Sequence, residues 1–98
     1  MAEFFAVIRS PGPAWAAGRA MEEQELWREH ADFMNRLEEE RLILLGGPLK
    51  GSDEVLLVAR AEDPDTVKRR LSEDPWSLRP ILPVRTISSW RLRIGKLD

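Results

Sequence analysis

His30 is the only imidazole in the chain, and histidine is the residue type most used for moving protons at neutral pH. At 100° per residue, Leu26, Trp27, His30, Phe33, Met34 and Leu37 fall on one face of a helix and Arg28, Glu29, Asp32, Asn35, Arg36 and Glu39 on the other. The imidazole therefore points at the core side of its helix. Two readings follow: a hydrogen-bonded core histidine with no chemistry, or a general acid or base in a pocket between helix and sheet. Met34 lies beside it on the stripe and is a candidate ligand contact.

A working imidazole needs a group that orients it, most often a carboxylate. The dipeptide Asp-Pro occurs twice, at Asp63-Pro64 and at Asp74-Pro75. The first pair is a helix start, because an aspartate oxygen accepts the free amides of the first turn and proline there sacrifices no hydrogen bond. The second falls where that helix should end, a place where the helix dipole disfavours negative charge. Asp74 either caps a second short helix or orients His30. A carboxylate has two oxygens, so the roles are compatible.

Trp15, Trp27, Trp76 and Trp90 are four tryptophans in a chain without tyrosine. Trp27, one turn before His30, and Trp76, beside Asp74, are placed to wall an apolar pocket. Gly46-Gly47-Pro48 has the spacing of neither nucleotide fingerprint and reads as a strand-end turn or bulge. Ser72, Ser77, Ser88 and Ser89 sit in no nucleophile elbow. The absence of cysteine and the single histidine argue against a metal site, so none is expected.

The elements that must position these residues belong to one small domain over residues 1–98. With 43% hydrophobic and 33% charged residues the composition is that of a folded globule. A net charge of -2 with dispersed lysine and arginine gives no footprint for nucleic acid. No run approaches about 18 apolar residues and no basic leader precedes the first apolar run, so the expectation is a cytoplasmic protein that neither spans nor binds a membrane.

Glu3 to Arg9 reads as a first strand, Met21 to Glu40 as a helix, Leu42 to Leu45 and Glu54 to Ala61 as a hairpin, Asp63 to about Glu73 as a second helix, and Val84 to Ile94 as a last strand. The order β-α-β-β-α-β predicts an α+β, ferredoxin-like sandwich: a four-stranded antiparallel sheet with two helices on one face. The first strand carries apolar side chains on both sides, Phe4, Ala6 and Ile8 against Phe5 and Val7, as does the third. Two helices cover one face only, so a homodimer packed sheet to sheet is expected.

The combination resembles the YCII-related family: a first-helix His30, the amphipathic stretch HADFMNRLEEERLILLGGPL leading to Gly47-Pro48, and Asp74-Pro75-Trp76 after the second helix. The likeness runs from the first strand to the last. It implies a ferredoxin-like fold that dimerises into an α/β barrel, a His-Asp dyad made here by His30 and Asp74, and ligand contacts at Gly47 and Pro48. It further implies cofactor-independent, lyase-type dehydrochlorination of a chlorinated hydroxyquinol. The chain departs from the family in having Glu39-Glu40-Arg41 where a glycine usually ends the first helix, and in the segment from Ser10 to Met21, which has no motif to carry over.

The expected function is thus a small acid-base enzyme acting on a cyclic or aromatic polar molecule. The alternative is a dimeric module that binds a small molecule without turnover, or a dimerisation domain whose pocket is vestigial.

Overall fold

The computed structural model describes residues 2–97. Four strands, β1 (Glu3–Arg9), β2 (Ile43–Pro48), β3 (Val55–Ala61) and β4 (Val84–Trp90), form an antiparallel sheet in the order β2-β3-β1-β4. Helices α1 (Trp27–Glu39), α2 (Pro64–Leu71) and the single turn α3 (Pro75–Leu78) complete the chain. The architecture is the α+β, ferredoxin-like one.

Side-chain alternation decides what faces what. Phe5 and Val7 of β1 and Val55, Leu57, Ala59 and Ala61 of β3 share one core with Phe33 and Leu37 of α1, Val67 and Leu71 of α2 and Trp76 of α3. Arg9 has the same phase as Phe5 and Val7 and is buried with them. Phe4, Ala6 and Ile8 pair with Arg60, Val58 and Leu56 on one side and with Trp90, Ser88 and Thr86 on the other, all on the opposite face. That face carries Leu45 and Trp90, which are 52% and 42% exposed.

Four boundaries differ from the sequence reading. The first helix begins at Trp27, not Met21. Met21–Glu23 is a 3₁₀ turn, Gln24 is extended with φ -72° and ψ 153°, and Leu26 is left-handed with φ 61°. The Gln24 amide causes the break: its oxygen accepts the Ala16 N–H at 2.8 Å and its nitrogen donates to the carbonyls of Ala16 and Arg19. Strand β2 does not stop at Leu45 but runs on through Gly46-Gly47-Pro48, which proline can do because β2 is an edge strand. The irregularity sits earlier, at Leu44, between the pairs Ile43–Ala59 and Leu45–Val58.

Helix α2 ends at Leu71, and Asp74-Pro75 opens α3 instead of trailing α2, so three helices lie on the covered face where two were expected. Strand β4 stops at Trp90, not Ile94, because Phe4 is its last partner in β1. A second register shift beside Arg9 sets Val84 opposite Arg9, off the simple alternation expected for the last strand.

The missing glycine after α1 has a specific outcome. The Leu42 N–H donates to Leu37 and the Arg41 N–H to Glu38, the paired bonds of a Schellman cap, with Arg41 at φ 65°. Leu37 and Leu42 are both buried, which supplies the accompanying apolar contact. A left-handed backbone costs a non-glycine residue roughly 1–2 kcal/mol, and glycine's larger unfolded-state entropy returns part of that. Arg41→Gly should therefore stabilise the protein by about 0.5–1 kcal/mol, read as a rise in the urea midpoint at unchanged slope.

Candidate active site

The site is built where the C-terminal end of β1, the first half of α1 and the start of α3 meet. Pro75 begins α3, and the Asp74 Oδ1 accepts the Trp76 N–H at 2.9 Å while its carbonyl receives the N–H groups of Ser77 and Leu78. The carboxylate is thus fixed by its own turn. Its free side meets α1: the His30 Nδ1 lies 2.8 Å from Oδ2 and 3.1 Å from Oδ1. A carboxylate only accepts, so Nδ1 is the donor. The cap and the histidine contact coexist in one side chain, as the two oxygens allow.

Sequence reasoning missed Arg9. Its Nη1 donates to the Asp74 Oδ2 at 2.7 Å, its Nε to the Leu82 carbonyl at 2.7 Å and its Nη2 to the Ser77 Oγ at 3.1 Å. The Ser77 hydroxyl passes its own hydrogen to the Leu71 carbonyl at 2.8 Å. Arg9 is 1% exposed and Asp74 0%. The signal was available: a charged residue in the inward phase of a strand must be paired. Burial lowers the Arg9 pKa while the charge of Asp74 raises it, and arginine's high starting value keeps the group charged.

Burial pushes the Asp74 pKa up, but the hydrogen bond from His30, the charge of Arg9 and the Trp76 amide outweigh it and hold the group below the ordinary aspartate value. A carboxylate whose folded pKa lies below the unfolded value of about 3.9 contributes stability fully above that pH and loses it as pH falls through the depressed value. Urea midpoints should fall below about pH 4 more steeply for the wild type than for Asp74→Asn, which has no such proton to take up.

Behind the imidazole, Trp76 stacks face to face, with ring centroids 3.9 Å apart and planes 5° from parallel. Its indole N–H is anchored on the Glu25 carbonyl, and Trp15 and Trp27 meet it at 6.3 and 5.7 Å. Trp76 was expected as a pocket wall. It is instead fully buried and backs the ring, because α3 tucks it beneath α1.

A cavity of about 630 Å³ opens on the other side, between α1 and the edge strand β2. Arg9, Trp27, His30 and Met34 line it with Gly46, Gly47 and Pro48. Trp27, Met34, Gly47 and Pro48, the four other proposed ligand contacts, are among the residues that line it. Gly46 has its own reason to be glycine: it faces Leu57, and an added Cβ would collide with the Leu57 side chain. Met21 also lines the cavity, at the end of the Ser10–Met21 segment, which is held by bonds from Ser10, Gly12 and Ala14 to Pro83, Ile81 and Pro80. The His30 Nε2 makes no hydrogen bond to a described residue, and no buried side-chain nitrogen or oxygen there lacks a partner, so Nε2 is reached from the cavity.

An α+β sandwich with an imidazole, a carboxylate and a guanidinium joined in its core is the class of protein that fold and site define. The chain belongs to the YCII-related family, whose model matches residues 4–91. Its fold is similar to that of the 5-chloro-2-hydroxyhydroquinone dehydrochlorinase from Burkholderia phenoliruptrix, solved in complex with 2,5-dihydroxybenzoquinone. The TM-score is 0.65 at 20% identity, over 94% of this chain and 95% of that one. No curated protein matches the chain significantly. Among the described residues no helix is long and apolar enough to cross a membrane.

Proposed function

We propose that this protein is a small acid-base enzyme of the lyase type, with His30 moving a proton through Nε2 on a cyclic or aromatic polar molecule bound in the cavity. The observation that carries this reading is the imidazole itself, tied by Nδ1 to a buried carboxylate at 2.8 Å while its other nitrogen faces a cavity of about 630 Å³. Asp74 orients the ring and stabilises the imidazolium formed when Nε2 takes a proton. Trp27 supplies an apolar wall, with Met34 and the Gly46-Gly47-Pro48 strand.

Dehydrochlorination fits these parts. A base removes a proton, the electron pair left behind forms the new double bond, and chloride departs with the pair of the C–Cl bond. The elimination is balanced by a proton acceptor and a leaving anion, and needs no redox partner. Chloride release from 5-chloro-2-hydroxyhydroquinone is the direct assay. The second reading, a module that binds without turnover, predicts that 2,5-dihydroxybenzoquinone quenches tryptophan fluorescence while no chloride appears.

The same reading includes a homodimer closed sheet to sheet into an α/β barrel, in the cytoplasm. The support for the dimer is the uncovered face, where Phe4, Ile8, Leu45, Leu56 and Trp90 gather. Burying apolar surface contributes about 25 cal/mol per Å². Sedimentation equilibrium should return twice the chain mass, and Leu45→Asp should return the monomer.

A further inference from the structure

The hydrogen bonds around Asp74 leave open which protonation state His30 holds, because Nδ1 donates to the carboxylate whether the ring is neutral or charged. Charge balance decides it. Asp74 is wholly buried and ionised, and a buried charge needs a counter-charge. Two cationic groups could supply one: the guanidinium of Arg9, from β1, at 2.7 Å and an imidazolium of His30, from α1, at 2.8 Å. Arginine cannot release its proton in a protein and histidine can. Among the described residues the only other charged side chain lining the cavity is Glu38, which is exposed on α1.

We propose that Arg9 is a positioning residue whose fixed charge serves as the counter-ion of Asp74, so that His30 stays neutral with its lone pair on Nε2, facing the cavity. The arginine is built for this. Leu82 and Ser77 take Nε and Nη2, and Met34 Sδ lies 3.7 Å from Nη1, which leaves Nη1 aimed at the carboxylate. Remove that charge and the Asp74–His30 pair carries a net negative charge centred on a fully buried carboxylate. It would then draw in one proton. Both Asp74 oxygens already accept, Oδ1 from the Trp76 N–H at 2.9 Å and Oδ2 from the His30 Nδ1–H at 2.8 Å, so the added proton goes to the open Nε2. Whether the shared proton then sits on Asp74 or on Nδ1, Nε2 carries a hydrogen and has lost its lone pair. Arg9 thus keeps the dyad a base.

The consequence for catalysis rests on the acid-base reading of His30, but the state of the ring is measurable without a substrate. The chain has one histidine, so long-range ¹H–¹⁵N correlations of labelled protein report a single imidazole. At neutral pH the wild type should show Nδ1 protonated and Nε2 bare. R9Q and R9M should move the Nε2 resonance from the lone-pair to the N–H region, and R9K, which keeps the charge, should retain the wild-type pattern. A wild-type spectrum with Nε2 protonated overturns the proposal, as does a folded R9Q or R9M with Nε2 bare, or an R9K protein with Nε2 protonated. Should neither neutral variant fold, the wild-type and R9K spectra decide. Loss of turnover in H30Q with an unchanged R9Q ring removes the role of Arg9 alone, whereas undiminished turnover in H30Q removes the catalytic reading and leaves the charge assignment standing.

Discussion

An Asp74→Ala protein is expected to lose about 3–5 kcal/mol of folding free energy, the usual cost of deleting one partner of a buried ion pair. Three deficits combine at this position. The Arg9 guanidinium keeps its bonds to Leu82 and Ser77 but loses its counter-charge at 1% exposure. The Trp76 amide loses its cap, and the His30 Nδ1 loses its acceptor. Against a typical total of about 5–15 kcal/mol, such a loss brings the fold close to the edge of stability. Asp74→Asn should be milder, since an amide oxygen can still cap α3. Urea titrations followed by tryptophan fluorescence will rank the three proteins, and an Asp74→Ala midpoint equal to the wild type would show that the pair contributes nothing to the fold.

The second large effect is on rate. His30→Gln should reduce turnover by about 10² to 10⁴, the range that a placed general acid or base supplies. Glutamine is chosen because its amide can still donate to Asp74 and lie against Trp76 while being unable to take up a proton near neutral pH. The variant should therefore keep its near-ultraviolet circular dichroism while turnover falls. A proportional loss in kcat with little change in KM is the pattern of a group that acts in the transition state and not in binding. Asp74→Asn, where it folds, should lower the rate as well, because the amide allows the wrong tautomer of His30.

How much of this was readable from the residues alone differs by element. The strands were legible because short apolar runs closed by turn residues, and the alternation of the last strand, are local signals, and Asp63-Pro64 was legible because its capping chemistry is local too: the Asp63 Oδ1 accepts the Thr66 N–H at 2.8 Å. The start of α1 was not, because a distant amide, that of Gln24, ties back the residues before it. Register shifts at Leu44 and beside Arg9 were equally invisible, since they are set by pairing across strands. His30 and Asp74 were singled out by residue type and by their awkward positions, and the structure brings them within hydrogen-bonding distance. Arg9 escaped because it was read as the last residue of the first strand and assigned to neither face, when its phase already placed it beside Phe5 and Val7.

The measurement that bears most directly on the central claim is the rate of chloride release from 5-chloro-2-hydroxyhydroquinone by the wild type and by His30→Gln, side by side at saturating substrate. The account predicts catalysed release by the wild type and a rate about 10² to 10⁴ lower for the variant. Equal rates from the two proteins would contradict it.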